Sequence, residues 1–461
     1  MIDINIHPAS FRDPAGFVFT VDGIHYRQVN KFYSFRYDYL HHCGLYDRLT
    51  GQGLMIPYTE APLDLAQSAD AYNILLPRQI PRITYASEWC PEQLRDAALL
   101  TLRIQRLAMD HGMTLKDATP FNIQFENGKP VFIDTLSLDL YEKAKPWIAY
   151  RQFCECFLFP LYLHRYTQTG THKIATAWPD GIPASVTGRL LPFRSRWNAG
   201  AWLHVFLQNK VSSRKPPTDE SNLRFSKPKL SRLIDHLQSI LSRPASPAET
   251  SAKAGPNSTA WSNYYRETIL GPAYLEAKQQ LFRGYLQHIE FADALDLGCN
   301  DGLFSKIIAE TGAPVIAVDS DWPCIDKLYR DHPDNILPLC IDLANPTPAT
   351  GFRNTERASF TDRATSDLVT ALALVHHLAL SSNIPLPLIA DYFDQLTRKY
   401  LIIEFVPASD IKAQQLTARK TTQPHNYDIE NFESAFSRHF RIEKKDRIPG
   451  TERQLYLLKK G

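Results

Sequence analysis

The sequence predicts an α/β protein with a C-terminal Rossmann-like domain that follows an α+β domain. Short apolar runs alternate with segments of helical periodicity from residue 294 onward, which is typical of a parallel sheet covered by helices. A stretch rich in Ser, Pro and Lys interrupts the chain near its middle. An Asn-Gly turn signal between two apolar runs indicates a β-hairpin in the N-terminal part.

These features divide the 461 residues into three segments. Residues 1–208 are predicted to form the α+β domain, and residues 258–461 the Rossmann-like domain. Residues 209–257 are predicted to be a linker that carries one short amphipathic helix near Leu230 to Leu241.

Composition narrows the class of protein. A net charge of +2 argues against a dedicated nucleic-acid surface, and seven scattered cysteines favour reduced thiols without a metal site. No apolar run is long enough to span a bilayer and no signal peptide is visible, so we expect a cytoplasmic protein without membrane contact. The sequence does not fix the oligomeric state.

The stretch 294–306 is the most informative for function. An apolar run that ends in Asp296 leads into a turn with Gly298 and Gly302, and an amphipathic helix begins near Leu303. A strand, a tight turn and a helix N-terminus allow close approach of a nucleotide-like ligand. The next apolar run ends at Asp319, where a carboxylate can accept hydrogen bonds from ribose hydroxyls.

The turn Asp296-x-Gly298-x-Asn300-x-Gly302 resembles motif I of the class I S-adenosylmethionine-dependent methyltransferases, with Asn300 in place of the middle glycine. Asn enters the left-handed backbone region more readily than most residues, so the replacement is tolerable. The resemblance implies a seven-stranded fold that ends on a hairpin inserted beside strand five. It also implies S-adenosylmethionine as the cofactor.

The same resemblance implies roles for residues at the ends of the strands. Asp342 and Leu343 follow the third strand, where an acidic residue meets the adenine edge. The predicted cofactor-binding residues are Asp296, Gly298, Asn300, Gly302, Asp319, Asp342, Leu343 and Ala373. After the fourth strand, His376 and His377 are expected to face the transferred methyl group.

A hydroxyl or amine acceptor must lose a proton, and histidine is a usual base near neutral pH. If the backbone is extended at His376 and His377, the two rings point opposite ways and only one faces the cleft. Glu404, at the end of the fifth strand, is the second candidate base. The alternatives are structural histidines and a salt bridge from Glu404 to an Arg or Lys on a neighbouring helix.

Four short strings, Trp261-x-x-Tyr264-Tyr265, 296–302, His376-His377-Leu378 and 404–407, resemble the group of methyltransferases around the rhizobial nodulation protein NoeA. That group implies a small-molecule or glycan-related acceptor. A protein or RNA methyltransferase is the alternative, although the Asn-Pro-Pro-Tyr type of motif is absent after the fourth strand. A non-catalytic cofactor-binding scaffold is a further alternative.

In the N-terminal domain, Asp117 and Asn122 are five positions apart, and Asp134 follows twelve positions later. This spacing resembles that of kinase-like phosphotransferases, in which one Asp orients a hydroxyl while an Asn and a second Asp hold magnesium. No glycine-rich phosphate loop precedes it, and no Lys lies on an obvious strand with a partner Glu. A plain β-hairpin over 122–133 is the alternative interpretation.

Overall fold

The computed structural model describes residues 4–209, 225–243, 271–331, 334–418, 420 and 426–461. These residues divide into two compact units. The first unit holds the described residues up to 243 together with 349–358, and the second holds the remaining described residues from 271 onward. The Trp261-x-x-Tyr264-Tyr265 string and much of the predicted linker lie outside the described residues.

The first unit contains a five-stranded antiparallel sheet with the strand order β1-β2-β3-β5-β4. Its strands are β1 Ile4–Ile6, β2 Gly16–Val21, β3 Ile24–Asn30, β4 Tyr58–Ala61 and β5 Ala71–Pro77. Two small antiparallel pairs follow, which are β6 Met113–Leu115 with β9 Leu138–Leu140, and β7 Ile123–Glu126 with β8 Lys129–Phe132. The φ angles of Asn127 (49°) and Gly128 (69°) are both positive, so the predicted hairpin turn is confirmed.

The longest described helix of the first unit, Pro91–Asp110, begins with proline at its first position and a hydrogen bond from Cys90 N to Gln93 Oε1 of 2.9 Å. The helix Lys227–Leu241 buries one leucine-rich stripe and pairs Asp235 with Arg106, so it packs within this unit. The other α-helices are Ser34–His42, Leu45–Gly51, Tyr150–Phe153, Phe159–Thr167, Thr171–Ala177, Ala184–Leu190 and Ala199–Ala201.

The second unit is built on a seven-stranded sheet with the order β12-β11-β10-β13-β14-β16-β15. Strands β10 to β14 run parallel, and β16 lies antiparallel between β14 and β15. The strands are β10 Ala294–Leu297, β11 Val315–Asp319, β12 Ile336–Cys340, β13 Ser366–Ala371, β14 Thr397–Phe405, β15 Phe440–Arg447 and β16 Gln454–Lys460. The predicted terminal hairpin beside strand five is therefore confirmed.

Strands β10 and β13 are buried along their whole length because helices cover both faces of the sheet centre. The α-helices of this unit are Gly271–Leu286, Leu303–Ala309, Trp322–Arg330, Phe360–Arg363, Leu386–Leu396, Ile411–Thr417 and Ile429–Phe436. Among the residues that the structure describes, no helix combines the length and apolar character that a membrane span requires.

Gly302 joins the turn after β10 to the helix Leu303–Ala309 with a φ angle of 81°, and a Cβ there would lie 2.5 Å from Leu328 Cδ1. We expect Gly302→Ala to lower the free energy of unfolding by about 2–4 kcal/mol, because backbone strain and overpacking add. Gly312 is a matched control, since its φ is 89° and nothing lies within 4 Å of its ideal Cβ.

Gly312→Ala should therefore show the backbone strain alone, about 1–2 kcal/mol. Differential scanning calorimetry of both variants measures the difference. Equal shifts of the thermal transition would contradict the packing argument for Gly302.

Candidate functional site

The residues predicted from sequence lie along one edge of the seven-stranded sheet. The turn 298–302 follows β10, Asp319 ends β11, and Asp342 follows β12. Ala373 follows β13, and Glu404 is the penultimate residue of β14. Because these five strands are parallel, their carboxyl ends share an edge, which is where ligands bind in open α/β sheets.

The turn after β10 is held against the end of β11. Gly298 N and Cys299 N both donate to the carbonyl oxygen of Val318, at 2.8 and 3.0 Å. The φ angles of Gly298 (72°) and Asn300 (52°) are positive, so Asn300 adopts the left-handed conformation that its position in the motif predicts. Gly298 and Gly302 bring no side chain to the two ends of this turn, whereas Cys299, Asn300 and Asp301 between them do.

Two backbone N–H groups hold the carboxylate of Asp319 at the end of β11. Its Oδ2 accepts a hydrogen bond from Asn300 N at 2.9 Å, and its Oδ1 accepts one from Asp321 N at 2.8 Å. Burial raises the pKa of Asp319 to about 6, and the two backbone hydrogen bonds oppose that shift. Each carboxylate oxygen keeps further acceptor capacity, so ribose hydroxyls can still bind.

The carboxylate of Asp296 accepts hydrogen bonds from side-chain hydroxyls, whereas that of Asp319 accepts them from backbone N–H groups. Ser305 Oγ donates to Asp296 Oδ2 at 2.5 Å, and Thr370 Oγ1 donates to Asp296 Oδ1 at 2.6 Å. Burial raises the pKa of this carboxyl group, although both hydroxyl hydrogen bonds act against the rise. Asp296 therefore ties β10 to β13 and to the following helix, and its role in cofactor binding stays a prediction.

Fewer contacts hold the other predicted cofactor-binding residues, Asp342, Leu343 and Ala373. Asp342 is exposed, and its Oδ1 accepts a hydrogen bond from Ala344 N at 2.9 Å. Leu343 is buried, and Ala373 is half-buried with a φ angle of 51°. All three lie at the same edge of the sheet as Asp319, and their contacts with a cofactor stay predictions.

The backbone at the two histidines is helical, so the extended conformation considered from the sequence is wrong. Strand β13 already ends at Ala371, and the chain turns so that His377 N donates to Leu374 O at 2.8 Å. His376 has φ −65° and ψ −26° and precedes the π-helical segment His377–Ser381. The two rings lie side by side with centroids 4.2 Å apart, rather than on opposite faces.

His376 is fully buried, and within the described part of the chain neither of its ring nitrogens has a hydrogen-bond partner. Burial, with His377, Arg453 and Lys278 nearby, holds its pKa well below the ordinary value. Burial, assisted by Arg453, lowers the pKa of His377 to about 4. Both imidazoles are therefore neutral at neutral pH.

A buried charge cluster, defined as Lys278, Glu404, Asp410 and Arg453, lies close to the histidines. Lys278 Nζ is 2.6 Å from Glu404 Oε2, and Arg453 makes a bidentate pair with Asp410 at 2.8 and 3.0 Å. Arg453 NH1 also lies 3.3 Å from Glu404 Oε1. Tyr274 OH donates to the same Oε1 at 2.9 Å.

These contacts favour the ion-pair alternative for Glu404. Burial alone would raise its pKa, but Lys278 and Arg453 outweigh burial and hold the pKa below its usual value. Glu404 is 0% exposed and ionised, and its function as a base stays a prediction that the contacts do not favour.

Sequence reasoning missed Lys278 and Arg453. A signal for Lys278 was available, since Tyr274, Lys278 and Phe282 share the buried face of the helix Gly271–Leu286. A lysine on such a face requires a buried partner. No comparable signal marks Arg453, which lies in the irregular turn between β15 and β16.

No family model matches the chain. The chain is 30% identical over 459 residues to the nodulation protein NoeA of Rhizobium meliloti (strain 1021). The aligned residues cover 98% of this chain and 95% of NoeA. The N-methyltransferase NodS of Bradyrhizobium japonicum WM9, solved with S-adenosyl-L-homocysteine, is 13% identical with a TM-score of 0.33, over 44% of this chain and 94% of NodS. The magnesium protoporphyrin IX methyltransferase of Synechocystis PCC 6803 is 15% identical with a TM-score of 0.32, over 44% and 96% of the two chains.

The charge cluster gives a prediction on stability. We expect Lys278→Met to lower the free energy of unfolding by about 2–4 kcal/mol, because Glu404 loses its nearest buried cation. The double variant Lys278→Met/Glu404→Gln should recover part of this loss, since the uncompensated carboxylate is gone. Denaturant unfolding measures all three proteins.

Lys306→Met is the matched control, because the Lys306–Asp331 pair at 2.6 Å is 43% and 46% exposed. Its effect should stay within about 1 kcal/mol. Equal losses for Lys278→Met and Lys306→Met would contradict the importance of the buried pair.

Proposed function

The chain belongs to the family of the nodulation protein NoeA and is a class I S-adenosylmethionine-dependent methyltransferase, and from this premise we propose that it methylates a hydroxyl or amine of a small-molecule or glycan acceptor. The cofactor and the reaction class follow from family and fold. The acceptor class and the roles of individual residues are the proposal.

The carboxyl edge of the sheet fits S-adenosylmethionine. Three features support this proposal: the turn 298–302 begins and ends on glycine, Asp319 has acceptor capacity for the ribose hydroxyls, and Asp342 and Leu343 follow β12, where the family resemblance implies contact with the adenine. The cofactor supplies an activated methyl group on a sulfonium. The protein has to align the acceptor with that group and exclude water.

The proposal on the acceptor rests on the charge, burial and hydrogen bonding of His376. Its imidazole is neutral, fully buried and without a hydrogen-bond partner among the described residues, at the edge where β13 ends. A buried polar group without a partner is unfavourable, and an acceptor hydroxyl or amine would relieve that cost by donating to the free ring nitrogen. As the acceptor atom bonds to the methyl carbon, the same nitrogen can take its proton.

Transfer of isotope-labelled methyl groups tests the acceptor class. The full-length protein is incubated with labelled S-adenosylmethionine and a metabolite and glycan extract, and the small-molecule, protein and RNA fractions are counted separately. We expect label in the small-molecule fraction. Label only in protein or RNA would overturn the acceptor class, and binding without any transfer would favour a non-catalytic scaffold.

The histidine pair gives a prediction on turnover. His376→Asn and His377→Asn are made as single variants. The variant that lacks the base should have a kcat lower by about 10²–10⁴-fold, while its S-adenosylmethionine affinity changes little, because a base acts in the transition state. His288→Asn, an exposed histidine of the same unit, is the control. Full activity in both single variants would place the base elsewhere.

The same pair predicts an acid limb in kcat/KM. If His377 takes the proton in place of His376, the limb should fall near the lowered His377 pKa of about 4 rather than near the ordinary histidine value. A pH–rate profile of the free enzyme measures it, and the His377→Asn variant should lose the limb. A limb that persists unchanged in His377→Asn would contradict this assignment.

Asp319 predicts a pH dependence of cofactor binding. Because its pKa is raised to about 6, Asp319 is an ionised hydrogen-bond acceptor above that pH, and this ionised form is lost as the pH falls through 6. S-Adenosylmethionine affinity should therefore fall by up to about tenfold per pH unit below 6. Calorimetry should show weaker, nearly pH-independent binding in Asp319→Asn, whereas the control Asp331→Asn, on an exposed ion pair, keeps the wild-type profile.

A further inference from the structure

Large apolar side chains are exposed together on the first unit between residues 190 and 203. Here the 3₁₀-helix Phe193–Trp197 leads into the helix Ala199–Ala201 and the π-helical segment Trp202–Leu207. Trp197 is 83% exposed and Phe193 is 70% exposed, so neither ring contributes to the core. Neighbouring exposed apolar groups mark interaction sites more often than single ones do. We call this region the aromatic surface and define it by its exposed members Leu190, Phe193, Trp197, Trp202 and Leu203.

Phe206 joins the elements of the aromatic surface. Arg196 Cζ lies 5.5 Å from the ring centroid of Phe206 and 5.3 Å from that of Phe193. The helix Ala184–Leu190 packs against the same residue, since a Cβ on Gly188 would lie 3.7 Å from Phe206 Cδ1. Two members of the surface precede Phe206 by three and four positions in the same helical stretch, so they share its side of the helix. The exposed side chains therefore form one continuous patch.

The same stretch of chain is strongly cationic. Residues 156–209 contain five Lys or Arg and one acid, a surplus of four positive charges, whereas the whole chain carries +2. The single acid, Asp180, lies 3.7 Å from Arg357 and is therefore already paired. Within the described residues, no ion pair involves the three exposed arginines of this stretch, Arg189, Arg194 and Arg196.

Several arginines elsewhere in the first unit are neutralised locally. Arg27, Arg36 and Arg106 each form an ion pair with an aspartate. An exposed arginine without such a pair keeps its charge available to a partner, and its guanidinium matches phosphate through two parallel hydrogen bonds. The partner that complements this surface is therefore anionic and apolar at once.

We propose that the aromatic surface binds the face of a bilayer that contains anionic phospholipids. Tryptophan rings lie preferentially at the boundary between headgroups and acyl chains, and phenylalanine and leucine side chains insert into that boundary. Arginines near an anionic bilayer add to its attraction. The expectation of no membrane contact rested on the lack of a spanning run and of a signal peptide, and peripheral binding requires neither.

Single-stranded nucleic acid is the other partner that offers phosphates beside apolar groups, and the aromatic surface suits it less well. Bases bind by stacking on open aromatic faces. Arg196 already lies over the ring of Phe193 at 5.3 Å, and Leu190 and Leu203 have no ring on which a base could stack. Acyl chains accept leucine and aromatic side chains alike, so the mixed composition of the surface favours lipid.

Co-sedimentation of the full chain with vesicles tests the proposal. Vesicles of phosphatidylcholine with an equal amount of phosphatidylglycerol are compared with vesicles of phosphatidylcholine alone, at low and at high salt. We expect the mixed vesicles to bind at least about tenfold more tightly at low salt, because each of the three arginines adds to the attraction. High salt should weaken this binding, since it screens the charges.

Two variants separate the charges from the rings. Arg189→Gln/Arg194→Gln/Arg196→Gln should weaken binding to the mixed vesicles by about tenfold or more. Trp197→Ser should weaken it by about fivefold or more, because the ring no longer enters the boundary of the bilayer. All four side chains are exposed, and thermal unfolding verifies that each variant is folded.

Matched controls remove the same kinds of group from other elements of the first unit. Arg48→Gln/Lys129→Gln/Lys143→Gln deletes three exposed cations, and Phe35→Ser deletes a ring that is 65% exposed. Because these groups lie outside the aromatic surface, each control should change the affinity by less than about twofold.

Absence of binding to the mixed vesicles would overturn the proposal, and so would equal losses in the surface variants and their controls. Titration of a labelled single-stranded RNA and sedimentation equilibrium of the chain alone examine the other partners. Without vesicle binding, RNA binding that the triple arginine variant abolishes would assign the surface to nucleic acid. Self-association that Trp197→Ser abolishes would assign it to a second copy of the chain, and either result would overturn the lipid assignment.

Discussion

The buried charge cluster of Lys278, Glu404, Asp410 and Arg453 is the constraint on which the second unit depends. Charges removed from water are tolerated only when each finds a partner in good geometry. The bidentate Arg453–Asp410 pair meets that requirement with hydrogen bonds of 2.8 and 3.0 Å, and Lys278 Nζ forms an ion pair with Glu404 Oε2 at 2.6 Å without hydrogen-bond alignment. They join the helix Gly271–Leu286, the end of β14 and the turn before β16 at one point.

The cluster also sets the chemistry beside it. Lys278 and Arg453 add to the effect of burial in keeping His376 uncharged. A neutral imidazole can accept a proton, whereas an imidazolium cannot, so in the proposed function the ion pairs that position the helix also keep the ring in the form that a base requires. Apolar replacements could fill the same volume but would remove this electrostatic environment.

Local signals in the sequence predicted the strands and turns of the second unit well. Strands β10 and β11 and the left-handed Asn300 follow from short apolar runs and from one glycine-bearing turn. The partners of Glu404 could not be identified in this way, since Tyr274, which donates a hydrogen bond to it, lies 130 positions away and no periodicity connects the two residues. The extended backbone expected at the two histidines was wrong because β13 ends five residues before His376. The chain then enters a π-helical segment, which no local pattern in the sequence marks.

Segment 349–358 belongs to the first unit although it lies between β12 and β13 in the chain. Its Glu356 pairs with Arg12 at 2.5 Å, and Arg357 lies over the ring of Phe121 at 3.8 Å. During synthesis the first unit therefore cannot complete its packing until the ribosome has translated residue 358 and part of the second sheet. A chain that ends between the two units lacks segment 349–358, so its first unit lacks the Arg12–Glu356 ion pair and the contact of Arg357 with Phe121.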